Sequence, residues 1–106
     1  MSPQHWFDAA IERGDLKAAH SWAIEMPIVD LERALQLTIL VGEQEMPGYP
    51  RFARRWLVRF IREQEPSFDL VIEVIRALKE IPVFIERDEA KHELLEVGRM
   101  IGKQKG

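Results

Sequence analysis

Asp30-Leu31-Glu32-Arg33-Ala34-Leu35-Gln36-Leu37-Thr38-Ile39-Leu40-Val41-Gly42 is the stretch whose reading decides the fold. On a helix of about 3.6 residues per turn, its apolar side chains cover roughly two thirds of the circumference. Only Glu32, Gln36 and Arg33 mark a wet edge. A helix that apolar has to be covered from several sides, which makes it the central helix of a small all-helical domain. Asp30 stands at the N-cap position, where a carboxylate meets the free amides of the first turn.

On both sides of this stretch, proline sets the limits of further segments. Glu25-Met26-Pro27, Glu45-Met46-Pro47, Glu65-Pro66 and Glu80-Ile81-Pro82 each end one, because proline cannot continue a helix and restricts the residue before it. Gly14-Asp15 makes a fifth break, a left-handed cap followed by an N-cap. Six helical segments result: 3–13, 16–26, the central helix, 51–63, 68–81 and 83–101. Ser2 and Ser67 cap the first and fifth. The buried stripes are Trp6, Phe7, Ala10 and Ile11 in the first segment and Leu16, Ala19, Trp22, Ala23 and Met26 in the second. The fourth carries Phe52, Trp56, Leu57, Phe60 and Ile61. The fifth, with Phe68, Val71, Val74, Ile75 and Leu78, is a second heavily buried helix at the centre beside the third. The sixth has one narrow stripe of near-heptad spacing, Val83, Ala90, Leu94, Val97 and Ile101, and is an outer helix packed on one side. Tyr49, within the loop Met46-Pro47-Gly48-Tyr49-Pro50, is the aromatic expected at the surface.

No stretch alternates with period two, so no strands are expected. Short connections favour antiparallel neighbours. The fold class is all-α: a compact bundle, or a short helical-repeat-like array, of five or six antiparallel helices. Successive prolines fall 20, 19 and 16 residues apart, one helix and turn per unit. Ala10, Gly14, Leu16 and Ala19 are loosely similar to the small and apolar positions of a tetratricopeptide hairpin over about a fifth of the chain. The second and third hairpins lack the matching positions, and no family membership follows.

The size of 106 residues fits one domain, residues 1–102, followed by a frayed tail over 103–106. There is no cysteine, which excludes disulfides, thiolate metal sites and cysteine nucleophiles. Met1-Ser2-Pro3-Gln4-His5 lacks the basic and apolar regions of a signal peptide, and the longest apolar run is far too short to span a bilayer. A cytoplasmic protein without membrane contact is the expectation. The net charge of −3 gives no global attraction to nucleic acid.

The most distinctive charge feature lies on the fourth helix. Arg51, Arg55, Arg59 and Arg62 fall within roughly 80° of one another, with Arg54 on the flank. Val58 is an apolar spot amid them, and no acid interrupts the stripe before Glu63. Arginine suits bidentate contact with carboxylate or phosphate, so this face could grip an acidic partner or nucleic acid. The competing account is a solvated face, or one neutralised by Glu43, Glu45, Glu73 or the acids of the sixth helix. The sixth helix carries Glu86, Asp88, Glu89, Glu93 and Glu96, and a homo-oligomer sharing its narrow stripe is a further reading.

Glu89-Ala90-Lys91-His92 has the Glu-x-x-His spacing of di-iron bundles. His5 and His20 lack the second copy of that motif, so no metal site and no cofactor are expected. Catalytic signals are equally thin. Ser21 and His20 are adjacent in sequence and so point apart on a helix. Ser2 and Ser67 are caps, and the Thr38 hydroxyl is placed to bond a carbonyl one turn back. The sequence therefore points to a non-catalytic protein-interaction or regulatory module. Its binding surface is Arg51, Arg54, Arg55, Val58, Arg59 and Arg62, its partner an acidic protein. Nucleic acid on the same stripe is the first alternative, and the homo-oligomer the second.

Overall fold

A computed structural model describes residues 2–104, which form six helices and no strand. They are α1 (Pro3–Arg13), α2 (Leu16–Glu25), α3 (Leu31–Glu43), α4 (Tyr49–Gln64), α5 (Phe68–Glu80) and α6 (Arg87–Gln104). The boundaries follow from local chemistry. The Ser2, Asp15, Asp30 and Ser67 side chains each accept an amide three residues on, satisfying first-turn donors of α1, α2, α3 and α5. Gly14 closes α1 at φ 70°, a left-handed conformation that glycine adopts without a Cβ clash.

The sequential pairs α1–α2, α3–α4 and α5–α6 pack as hairpins, and α3 stands at the centre in contact with α1, α2, α4 and α6. Eight of its 13 residues are buried. Leu31, Leu35, Ile39 and Val41 join Trp56, Phe60, Val74, Leu78 and Leu94 in one cluster. Leu37 and Leu40 join Phe7, Ala10, Ala19 and Met26 of the α1–α2 hairpin in a second. Thr38 resolves its burial by donating its hydroxyl to the Ala34 carbonyl at 2.7 Å. Trp56 stacks on Phe60 with centroids 5.0 Å apart and donates its indole N–H to the Leu31 carbonyl at 2.9 Å. At the start of α3, Arg33 holds Asp8 of α1 through two bonds of 2.9 Å and Asp30 through one of 3.0 Å.

Several expectations are corrected. Tyr49 is buried: it opens α4, and its hydroxyl donates to the Leu78 carbonyl. Trp6 is exposed at 42%, stacked on the partly buried Trp22 at 6.2 Å. The central place given to α5 does not hold, since α5 buries only Val74, Ala77 and Leu78 and leaves Phe68 and Ile72 in solvent. The sixth helix begins at Arg87, because Pro82 opens a turn in which Val83, Phe84 and Ile85 are exposed.

The stripe of α6 then comprises Ala90, Leu94 and Ile101, buried against α3 and α5 together, rather than one side of an outer helix. Arg87 donates to the Ile81 and Pro82 carbonyls at 2.7 and 3.2 Å, tying this turn down. The helix continues through Gln104, and of the expected tail Lys105 and Gly106 lie outside the described residues. No helix among the described residues is long and apolar enough to cross a membrane.

Candidate functional site

Two prolines and a glycine set α4 in place. Gly48 occupies the N-cap position and Pro50 sits inside the first turn, where a missing N–H costs nothing. Tyr49, Trp56 and Phe60 then anchor one side of the helix in the core. Helical periodicity turns the opposite side to water, and all six predicted site residues lie there. Arg51, Arg54, Arg55 and Arg62 are exposed, Arg59 is half-buried, and Val58 is 43% exposed.

The ion pairs separate this stripe from the rest of the molecule. Arg59 meets Glu63 one turn on, at 2.9 Å. Among the described residues, Arg51, Arg54, Arg55 and Arg62 have no carboxylate at salt-bridge distance. Every arginine outside α4 has one: Arg13 with Asp15, Arg33 with Asp8, Arg76 with Glu80, Arg87 with Glu45 and Arg99 with Glu96. Several of the acids that could have neutralised the stripe are engaged elsewhere. Glu43 holds Lys91 at 2.9 Å, Glu45 holds Arg87 at 3.8 Å, and Glu93 faces Arg76 at 3.5 Å.

Beside the stripe lies a feature that sequence reasoning missed. Between α4 and α5 a groove of about 590 Å³ opens, walled by Ala53 and Leu57 on one side and Ile75 and Leu78 on the other, with Tyr49 and Pro82 at one end. Arg54 and Lys79 line it, one from each helix, and no acid does. Ile61, Ile72 and Phe68, exposed at 42, 50 and 76%, stand on the same two helices. Val58, the apolar spot singled out in the sequence, does not line this groove. Ile61 and Phe68 sit at the edges of apolar stripes, and a stripe does not state whether anything covers it.

The other candidates resolve into structural roles. His92 is exposed, 3.9 Å from Glu96. His5 meets the Trp6 ring edge-on, and His20 meets Phe52 in the same way. Among the described residues no three His, Asp or Glu side chains converge as a cation cage. The groups with displaced titration are explained by packing. Hydrogen bonds to Asp8, opposed by burial and reinforced by Asp30, push Arg33 up. Burial would raise Asp30, but bonds from the Arg33 side chain and amide outweigh it and hold the carboxyl below its ordinary value. Burial pushes the Tyr49 phenol up.

No family model, curated protein or solved structure matches this chain.

Proposed function

We propose that this chain is a non-catalytic protein-interaction module that binds an acidic partner through the Arg-rich face of α4. The observation carrying the reading is the contrast in pairing: each arginine outside α4 has a carboxylate partner, and four of the five on α4 have none among the described residues. An unpaired guanidinium on a rigid helix is preorganised for a bidentate carboxylate, which gains most when water is excluded around it. Val58, and Ile61 one turn beyond Leu57, provide apolar surface next to the cations that can exclude that water. This apolar admixture and the net charge of −3 favour an acidic protein over a nucleic-acid backbone, whose phosphates are met by cations and polar donors.

The test compares fluorescent poly-glutamate and a DNA duplex as probes of the wild-type chain and of Arg51→Glu with Arg55→Glu. The reading predicts that poly-glutamate binds, that the double variant weakens binding about tenfold or more, and that helicity and melting temperature barely change. Equal binding by the variant removes the stripe from consideration. Preferential binding of the duplex, falling steeply with salt, transfers the face to nucleic acid.

A further inference from the structure

The α4–α5 groove has the form of a helix interface with one member absent. Helices joined by a short turn ordinarily close on each other, as α1 closes on α2 across two residues, yet α4 and α5, joined by three, touch at few points. Ala53 and Leu57 form an i,i+4 row along one wall, and Ile75 and Leu78 an i,i+3 row along the other. Such rows are the ridges and grooves that receive a third helix. The α4 row continues at the same spacing to Ile61, and the α5 row continues back through Ile72 to Phe68, all solvent-exposed.

Charge narrows the choice of occupant. The groove between α1 and α3 is lined by Asp8, Glu12, Asp30 and Glu32 around Arg33, and that between α5 and α6 by Glu73, Glu93 and Glu96 around Arg76 and His92. The α4–α5 groove has instead, among the described residues, an unpaired cation on each wall, Arg54 and Lys79, and no carboxylate. We infer, resting on the acidic-partner reading above, that it receives an amphipathic helix of the partner. The apolar side chains of that helix, at i, i+3/i+4 and i+7, enter the trough, and acids on both flanks meet Arg54 and Lys79. The 16 residues of α4 extend about 24 Å, so the docked segment is about four turns long. A second copy of this chain does not supply such a helix. Its acidic helix, α6, already buries Ala90, Leu94 and Ile101 against α3 and α5.

The experiment titrates the full chain against two fluorescent peptides of about 18 residues, built only from Leu, Glu and Ala. One has leucines at helical i, i+3/i+4 spacing, and the other is a scramble of the same composition. Phe68→Ser with Ile72→Ser removes exposed apolar surface without touching the core, and circular dichroism checks that the variant keeps its helicity. The inference predicts that the amphipathic peptide binds about tenfold or more tighter than the scramble. The Ser variant should lose that preference while keeping the weak, salt-sensitive binding of the scramble. Equal binding of the two peptides, unaffected by the Ser variant, overturns the groove and leaves the acidic-partner reading standing. Failure of both peptides to bind overturns both. Concentration-dependent doubling of mass that the Ser variant abolishes overturns the partner helix in favour of self-association.

Discussion

Removing one oxygen atom tests how the two halves of the molecule are joined. Leu78 lies four residues before Pro82, which has no N–H, so the Leu78 carbonyl lacks its helical donor. The hydroxyl of Tyr49, 29 residues away, donates in its place inside the core. Tyr49→Phe keeps the ring volume and opens no cavity, but leaves a buried acceptor without a donor. That loss costs about 1–3 kcal/mol. In a domain of about 100 residues each kcal/mol moves the melting temperature by about 4–8 °C, so the variant should melt roughly 10 °C lower. Thermal unfolding followed by circular dichroism, with the urea m-value unchanged, is the assay. A second arm uses pH. Burial raises the phenol's pKa in the folded state, so its stability contribution is full below the unfolded value of about 10 and is lost as pH rises above it. Wild type should therefore lose stability above pH of about 10 by a term that Tyr49→Phe lacks. Tyr49 is the single tyrosine, so tyrosinate absorbance reports this group alone. A melting shift below about 2 °C, with tyrosinate forming at the ordinary phenol value, would refute the reasoning.

Gly42→Ala should destabilise by about 1 kcal/mol, because its Cβ would lie 2.6 Å from the Ile81 side chain and 2.7 Å from the Tyr49 ring. Overpacking of about 1–3 kcal/mol outweighs the helix-propensity gain of about 1 kcal/mol. A higher melting temperature would show that these side chains yield freely. The Asp30 carboxyl titrates below its ordinary value of about 4, so its contribution is present above that pH and is lost as pH falls through the lowered value. Asp30→Asn should flatten the acid limb of the stability–pH curve, and thermal unfolding across that range reads it. An unchanged limb would place the acid sensitivity elsewhere. Leu94 is fully buried in the monomer, so Leu94→Lys should abolish cooperative unfolding, whereas a well-folded monomer would mean that the α6 stripe serves contacts between subunits.

Local chemistry was legible in the sequence, and pairings distant in sequence were not. Ser2, Asp15, Asp30 and Ser67 act on amides three residues away, so the chain itself states where α1, α2, α3 and α5 begin. The apolarity of α3 likewise shows in its composition, since a helix serving two clusters needs apolar residues on most of its circumference. Tyr49 was misjudged because its loop signals are real but its partner is distant: Pro82 creates the demand that Tyr49 meets. Phe68 was misjudged because periodicity shows which side of a helix is apolar and not whether another helix covers it. The same limit hid the groove, although Arg51, Arg54, Arg55 and Arg62 stood on one face from spacing alone. That they lack partners depends on where Glu43, Glu45 and Glu93 fold, which no spacing reveals.

The most direct test of the binding surface is a map of backbone amide chemical shifts in the full chain as the acidic amphipathic peptide is added. Perturbations concentrated on Arg51, Arg54, Arg55, Val58 and Ile61 of α4 and on Phe68, Ile72, Ile75 and Lys79 of α5 are the predicted result. Perturbations confined to the α1–α2 hairpin, or none at saturating peptide, would contradict it.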